Sequence, residues 1–264
     1  ERNLLPLYSG NRTMKILPLV FNIYSRYYDL LYRDKDYVGE ADYIQTLLAR
    51  EGVTHGSLLE FGSGTGKHGN LLAAYGYQVH GIERSAEMVA QATLSDGFTC
   101  QQDDICTVNI GHSFDAVLSL FHVVSYQISN SDVQAVFARA AEHLHSGGLF
   151  IFDFWYSPAV YAQKPVARVK RMVDASVEIT RIAEPVIYAN ENRVDVNYTI
   201  YARDLASGDV QTLIETHPMR HFSLPEIDLL AQLNGFARVS AEEFLTGKPA
   251  GEDTWGVCVT LKSI

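Results

Sequence analysis

A glycine-rich turn between an apolar run and a helical segment is the feature that most restricts the fold of this chain. The apolar run covers residues 57–61, three glycines follow at Gly62, Gly64 and Gly66, and helical spacing continues over residues 65–75. A short apolar run that ends at glycines is typical of a buried parallel strand. Glycines let the backbone turn sharply and let a ligand approach it, while the start of a helix favours an anionic group. The pattern predicts a ligand site at a strand–helix turn.

The segments that follow alternate between strand and helix patterns. Such alternation predicts an α/β fold with a mostly parallel sheet and helices on both faces, a doubly wound arrangement. The pattern changes after residue 165, where residues 166–217 alternate apolar and polar side chains between turn signals and predict an antiparallel β insertion. Further strands are predicted at residues 77–82, 98–101, 114–120, 149–154, 237–244 and 255–262, and further helices at residues 37–50, 85–92, 132–145 and 224–233.

Composition narrows the class of partner. The 264 residues carry a formal net charge of -10, which disfavours a nucleic acid partner because such a surface repels phosphate backbones. The three cysteines have no C-x-x-C pairing, so we expect neither a disulfide framework nor a metal site. No apolar run is long enough to cross a bilayer, which predicts a cytoplasmic protein with no membrane partner.

Three acidic positions follow the first three strands and define the ligand expected at the turn. Glu60 lies two residues before the first glycine and can accept hydrogen bonds from an ammonium group. Glu83 ends the second strand, where a carboxylate can accept from both hydroxyls of a ribose. Asp103, Asp104 and Ile105 follow the third strand and can bind an adenine ring. Each also has a simpler explanation, namely a tight turn, a surface glutamate or a polar loop.

The glycine spacing separates two classes of nucleotide site. The dinucleotide fingerprint is G-x-G-x-x-G/A, and this chain has Lys67 where the third glycine or alanine should stand. A nicotinamide-dependent dehydrogenase is therefore a weak alternative. The glycines and the three acidic positions together resemble the class I S-adenosylmethionine-dependent methyltransferase family, over about residues 37–155 and the last two strands.

The resemblance implies a seven-stranded sheet with the last strand antiparallel, and S-adenosylmethionine as cofactor. It also implies that the glycines line the methionine part of the cofactor, that Glu83 binds its ribose and that Asp104 and Ile105 bind its adenine. The predicted cofactor-binding residues are Tyr28, Tyr37, Glu60, Gly62, Ser63, Gly64, Gly66, Glu83, Arg84, Met88, Asp103, Asp104, Ile105 and Leu120.

Other segments resemble a narrower group, the N-methyltransferases that dimethylate nucleotide-linked amino sugars. These are residues 28–30 and 35–37, which look like an N-terminal lid, the segment 121–126 after the fourth strand, and the late antiparallel insertion. In that group Tyr37 would approach the methionine end of the cofactor, and Tyr126 occupies the place of a substrate-contacting histidine. The chain departs from the group at residues 251–255, which hold no arginine where the resemblance implies one for a diphosphate.

Two residues after the fourth strand are the predicted catalytic residues. His122 and Tyr126 should lie at the carboxyl edge of the sheet, where open α/β folds bind ligands. A neutral histidine can accept a proton from an attacking amine or hydroxyl, although a packed loop histidine is equally compatible and positioning alone can suffice for methyl transfer. Aromatic residues around them are the predicted substrate contacts: Tyr24, Tyr32, Trp155, Tyr156 and Trp255.

The resulting division of the chain is an N-terminal tail (1–21), a methyltransferase domain (22–165 plus 218–264) with a lid (22–50), and the β insertion (166–217) for substrate selection or dimerisation. In the lid we expect Tyr27 or Leu31 to be buried and Tyr24, Tyr28 or Tyr32 to face the cleft. The predicted function is methyl transfer to the nitrogen or oxygen of a small molecule, including nucleotide-linked sugars. The alternative is a non-catalytic cofactor-binding or dimerisation module, and a homodimer is compatible with both.

Overall fold

The computed structural model describes Tyr27 and residues 30–264. Tyr24, Tyr28 and the predicted tail of residues 1–21 therefore lie outside the described residues. None of the helices in the described region combines the length and the hydrophobicity that crossing a membrane requires. These helices are α1 (Tyr37–Arg50), α2 (Lys67–Ala74), α3 (Ala86–Gln91), α4 (Asn130–Glu142), α5 (Ser157–Gln163) and α6 (Leu224–Leu233), with short 3-10 helices at Val123–Tyr126 and Ala189–Glu191.

The strands of the described region form one continuous sheet with two parts, a mostly parallel part and an antiparallel part. Their order along the chain follows the predicted alternation, with the antiparallel insertion between the fifth strand and the last helix. The strands are β1 (Gly56–Phe61), β2 (Tyr77–Glu83), β3 (Phe98–Gln102), β4 (Phe114–Ser119), β5 (Leu144–Tyr156), β6 (Arg168–Val173), β7 (Val177–Tyr188), β8 (Arg193–Asp204), β9 (Val210–Phe222), β10 (Phe236–Glu243) and β11 (Gly256–Ser263).

The mostly parallel part has the topology that the resemblance implied. Five parallel strands lie in the order β3-β2-β1-β4-β5. Strand β11 then pairs antiparallel with β5, and β10 pairs antiparallel with β11. The predicted fold class, a doubly wound sheet of seven strands with the last one antiparallel, is confirmed.

The antiparallel part consists of β6 to β9, each paired with the next. It joins the parallel part where the end of β9 runs beside the end of β5, through the pairs Trp155 with His221 and Tyr156 with Phe222. Strand β9 continues to Phe222, beyond residue 217, the predicted end of the insertion. This junction carries the antiparallel strands to the carboxyl edge of the parallel strands.

Alternate residues of the central strands bury both faces of the sheet, as period-two side-chain geometry requires. On β1, Leu58 faces a cluster with Leu48 of α1 and Leu72 of α2. Leu59 and Phe137 of α4 belong to the cluster on the opposite face, together with residues of α6. Because both faces are covered, a ligand can reach the sheet only at its edge.

Two of the first described residues, Tyr27 and Leu31, pack on the antiparallel part of the sheet. Tyr27 and Leu31 are buried in a cluster with Met172 of β6, Ile179 of β7 and Ile200 of β8. The expectation that Tyr27 or Leu31 is buried is confirmed. The burial of these two side chains anchors the predicted lid to the insertion.

Strand β1 carries a buried carboxyl group one residue before its end: Glu60, which is 1% exposed. Burial, followed by the negative charge of Glu83, raises the pKa of Glu60 to about 8, against an ordinary value of 4.5. The folded chain therefore holds the proton of Glu60 over a pH range in which the unfolded chain has lost it.

This difference predicts how stability depends on pH. The stabilising contribution of protonated Glu60 is fully present below about pH 4.5 and is lost as the pH rises through about 8. Relative to a Glu60→Gln variant, which cannot ionise, the free energy of unfolding of the wild-type protein should fall between these pH values. Urea unfolding at intervals from pH 5 to pH 9 measures it.

Glu184→Gln is the matched control, because Glu184 is exposed on β7. Its unfolding free energy should run parallel to that of the wild type over the same pH range. A Glu60→Gln curve that also runs parallel to the wild type would contradict the prediction.

Candidate active site

A cavity of about 590 Å³ opens at the carboxyl ends of β1, β2 and β4 and continues along the inner face of the insertion. This is the edge at which open α/β sheets bind ligands. Most of the residues predicted for the site line it. They are Tyr32, Tyr37, Gly62, Ser63, Gly64, Glu83, Arg84, Met88, Asp104, Ile105, Leu120, His122, Tyr126, Trp155 and Trp255.

The glycine loop presents bare backbone to this cavity. Gly64 has φ +55°, and a Cβ built on it would meet only the Met88 sulfur, at 3.9 Å. The loop is held from behind, because the N–H groups of Gly62 and Ser63 donate to the carbonyl of Ile82 at 2.8 and 3.1 Å. Gly66 begins α2 and does not line the cavity; its missing side chain makes room for the Phe98 ring.

Glu83 fixes the position of the loop relative to β2. Its carboxylate accepts hydrogen bonds from the N–H of Gly64 at 3.0 Å and from the N–H of Ser85 at 2.8 Å. Burial raises its pKa above the ordinary value, although these backbone bonds act in the opposite direction. A buried carboxylate with remaining acceptor capacity, beside exposed backbone, is suited to bind the hydroxyl groups of a ribose.

Asp104 and Ile105, which follow β3, line the end of the pocket beside that strand. The Asp104 carboxylate accepts from the N–H of Cys106 at 2.8 Å, which holds it in a fixed orientation. Asp103 does not line the cavity; it accepts from the N–H of Asp104 and supports the turn. The flat side of Ile105 and the nearby Asp104 oxygens could accommodate an adenine.

At the end of the pocket beside α2, the structure differs from the sequence-based prediction for Glu60. Glu60 does not line the cavity, because its carboxyl group is buried next to α2. His68 lines the cavity instead, with its Nε2 atom 2.7 Å from Glu40 Oε2 and its Nδ1 atom 3.9 Å from Glu60 Oε1. Glu40 in turn pairs with the Lys35 ammonium, which lies 4.4 Å from the centre of the Tyr37 ring.

Sequence reasoning did not find His68, Glu40 or Lys35. Glu40 lies on α1, and its partner His68 lies on α2, 28 residues further along the chain. The pair forms only because the two helices dock on the same face of the sheet. A buried polar position inside an otherwise apolar helix face was the one available signal.

His122 stands after β4 in a left-handed conformation, with φ +61°. Its Nδ1 atom lies 2.7 Å from Asp153 Oδ2, and its N–H donates to the same carboxylate. Burial raises the pKa of Asp153, but the charge and hydrogen bonds of His122 outweigh burial and leave that pKa below the ordinary value. The imidazole is thereby oriented by an ionised, buried carboxylate at the edge of the cavity.

The predicted aromatic contacts separate into two groups. Trp155 and Trp255 line the cavity with their ring centres 5.4 Å apart, and Tyr32 lines it from the N-terminal side. Tyr156 does not line the cavity; it packs against the hydrophobic core, because consecutive strand residues point to opposite faces. Phe154, two residues earlier on the same face of the strand, is fully buried in that core.

The insertion contributes a wall that sequence reasoning did not resolve into residues. Residues of β6 to β9 complete the wall of the cavity: Arg168, Arg181, Val196, Tyr198, His217, Pro218 and Met219. The alternation along each strand indicated that one face is covered, but it did not indicate what the face covers. Two of these residues are arginines, whereas residues 251–255 hold none.

Known proteins similar to this chain include a methyltransferase domain family and two sugar N,N-dimethyltransferases. The family model of the methyltransferase domain matches residues 58–148. A dTDP-3-amino-3,4,6-trideoxy-alpha-D-glucopyranose N,N-dimethyltransferase of Streptomyces venezuelae is 31% identical over 85% of this chain and 92% of its own length. A dTDP-3-amino-3,6-dideoxy-alpha-D-glucopyranose N,N-dimethyltransferase of Streptomyces fradiae is 26% identical over 85% of this chain and 86% of its own length.

Solved structures share the fold. A sugar N-methyltransferase from Streptoalloteichus superposes with a TM-score of 0.77 at 19% identity, covering 97% of this chain and 98% of that one. An S-adenosylmethionine-bound amino pentose methyltransferase from Micromonospora echinaspora gives a TM-score of 0.73 at 21% identity, covering 94% and 99% of the two chains. The chain belongs to the class I S-adenosylmethionine-dependent methyltransferase family, within which it is similar to the N-methyltransferases of amino sugars.

Proposed function

We propose that this enzyme methylates the amino nitrogen of a nucleotide-linked amino sugar. Methyl transfer from S-adenosylmethionine is the activity of the family; the nature of the acceptor is the proposal. The observation that carries it is the distribution of charge along the cavity. Among the described residues that line it, the cofactor end carries three carboxylates and two cations, whereas the charged residues of the insertion are both arginines. The residues of the cofactor end are Glu83, Glu87, Asp104, Lys67 and Arg84, and those of the insertion are Arg168 and Arg181.

The cofactor end fits S-adenosylmethionine. The open space at Gly64 leaves room for a ligand against the loop backbone. Glu83 would hold the ribose, Asp104 and Ile105 the adenine, and Tyr37 and His68 would face the methionine end. Met88 and Leu120 line the region between them with apolar side chains.

The acceptor end fits an anion with a sugar attached. Arg168 and Arg181 enter from neighbouring strands β6 and β7, and guanidinium groups bind phosphate oxygens through paired N–H donors. This supports a diphosphate between the arginines, in a chain whose net charge of -10 would otherwise repel it. Trp155 and Trp255 would then face the sugar ring.

When bound, S-adenosylmethionine supplies an electrophilic methyl group on a sulfonium. The protein supplies orientation and a water-poor cavity, which together lower the barrier to attack by a neutral amine. We propose that His122, held by Asp153, orients the acceptor and that Tyr126 contacts its reacting nitrogen. The predicted roles of the remaining site residues stay predictions.

The relatives compared here are enzymes, so they give no support to a non-catalytic binding module. The division of the chain into a lid, a methyltransferase domain and an insertion for substrate selection agrees with the cavity wall that the insertion supplies. A homodimer and a cytoplasmic location stay predictions.

A Gly64→Val variant should lose affinity for the cofactor. A side chain there is strained at φ +55° and enters the open space beside the loop. We expect the dissociation constant of S-adenosylhomocysteine, measured by calorimetry, to rise by about tenfold or more, equivalent to roughly 1.4 kcal/mol.

Gly76→Val is the matched control. Gly76 has φ +99° and nothing within 4 Å of a built Cβ, and it lies outside the cavity. It introduces similar backbone strain without entering the pocket and should bind the cofactor as the wild type does. Unchanged affinity in folded Gly64→Val would rule out the loop as the cofactor site.

Arg168→Gln and Arg181→Gln should weaken the binding of a nucleotide-linked acceptor. With dTDP-3-amino-3,4,6-trideoxyglucose as the probe, we expect the KM of each variant to rise about tenfold, the loss typical of one hydrogen bond to a charged group. The dissociation constant for S-adenosylhomocysteine should not change, because both arginines lie on the insertion.

Arg171→Gln is the control, because Arg171 is exposed on β6 and does not line the cavity. The free amino sugar without its nucleotide should bind wild type and Arg168→Gln equally weakly. If removal of the nucleotide leaves the wild-type KM unchanged, the acceptor is not a nucleotide-linked sugar.

A further inference from the structure

A chain of hydrogen-bonding groups leads from the cavity into the insertion. The hydroxyl of Tyr126, at the end of its 3-10 helix, lies 2.8 Å from His217 Nδ1 on β9. The Nε2 atom of the same imidazole lies 3.2 Å from Glu215 Oε2. Tyr126 and His217 both line the cavity, and His217 is 3% exposed.

Strand geometry explains why the last two groups meet. Residues 215 and 217 are two apart on β9, so both side chains point to its inner face. The rings of Tyr198 and Tyr126 pack against the imidazole at 4.9 and 5.8 Å between centres and hold it in place. The orientation of His217 is therefore set by packing before any ligand binds.

The order of the groups assigns the direction of each hydrogen bond. An ionised glutamate can only accept, so Nε2 of His217 carries the hydrogen and donates to Glu215. Nδ1 is then the unprotonated nitrogen and accepts from the Tyr126 hydroxyl. The phenol oxygen retains acceptor capacity that can point towards a ligand in the cavity.

We propose that Tyr126, His217 and Glu215 form a proton relay that takes the proton of the acceptor's ammonium group. The inference deepens the proposed function and rests on it, because it requires an amine as acceptor. Tyr126 is the catalytic residue, in contact with the acceptor nitrogen. His217 and Glu215 act through it as positioning and proton-storing groups.

An amine acceptor creates the need for such a relay. An alkyl ammonium has no lone pair and cannot attack a methyl carbon, so one proton must leave before each transfer. A second methylation on the same nitrogen requires this again, because the methylated product is itself an ammonium. A group of the protein that touches the acceptor nitrogen can take this proton directly.

The step is balanced as follows. The ammonium N–H bond breaks and its proton joins the Tyr126 oxygen, while the phenolic proton moves to Nδ1 of His217. The imidazole becomes an imidazolium paired with the Glu215 carboxylate. The free amine then forms the N–C bond as the C–S bond breaks, and the imidazolium returns its proton to water along the same path once the product has left.

The burial of Tyr126 favours a neutral phenol that passes a proton on, rather than a phenolate that binds one. It raises the pKa of Tyr126 well above the ordinary value, with the charges of Tyr32, Tyr198 and Glu215 acting in the same direction. A phenolate at this position would be costly, so Tyr126 must lose its own proton as it gains another. Two groups at hydrogen-bond distance on opposite sides of its oxygen are what such a transfer requires.

The activity test uses dTDP-3-amino-3,4,6-trideoxyglucose as the probe and measures single-turnover methyl transfer. Tyr126→Phe and His217→Gln should each lower the rate by about 100-fold, within the range of acid–base catalysis, with unchanged KM. The double variant should be no slower than the slower single variant, because both interrupt one chain. Tyr126→His should recover most of the lost rate, since an imidazole can also pass a proton.

Tyr201→Phe is the matched control, because Tyr201 is exposed on β8 and does not line the cavity. It should transfer methyl groups as fast as the wild type. Rates of Tyr126→Phe or His217→Gln equal to that of the wild type, or a Tyr126→His variant as slow as Tyr126→Phe, would overturn the relay.

A second measurement separates the relay from the choice of acceptor. In protein labelled with 15N-histidine and saturated with S-adenosylhomocysteine, the signal lost in His217→Gln identifies His217. The relay requires an unprotonated Nδ1 and a protonated Nε2, and a reduced preference for this tautomer in Glu215→Gln. A proton on Nδ1 overturns the relay, whereas failure of the wild type to methylate the probe overturns only the acceptor assignment.

Discussion

The hydrogen bonds from the N–H groups of Gly64 and Ser85 to the Glu83 carboxylate are the interaction on which the cofactor end depends. One buried side chain at the end of β2 thereby fixes the glycine loop after β1 and the start of α3. The Ile82 carbonyl holds Gly62 and Ser63 from behind, and the Glu83 carboxylate holds Gly64, so bare backbone stays in place at the pocket. The same carboxylate that organises the loop also faces the pocket, so structure and ligand recognition meet in one residue.

Much of the cofactor end could be predicted from the sequence, because its parts follow strands in a fixed order. The glycines after β1, Glu83 after β2 and Asp104 after β3 lie at one edge as soon as the strands are parallel. Ser85 was also recognisable as the residue that precedes α3, and its hydroxyl accepts from the N–H of Met88. Local pattern and sheet topology suffice for such a site.

The acceptor end could not be predicted in the same way. The partner of Tyr126 is His217, 91 residues away, on a strand of different pairing type. Alternation along β9 indicates which of its residues share a face. Which residues of the chain lie opposite that face depends on how the two parts of the sheet join. Glu60 shows that a motif can also mislead. It stands at the expected position before the glycines, but it is buried beside α2 and does not line the cavity.

The junction between β5 and β9 consists of only two residue pairs, yet it makes both halves of the cavity parts of a single sheet. The antiparallel strands are held to each other by long, continuous ladders that do not involve the cofactor loop. Inward-facing positions on β6 to β9 can therefore be exchanged without disturbing the residues around Gly64. An architecture of this kind allows descendants of one ancestral enzyme to diverge in acceptor while inheriting the methyl donor unchanged.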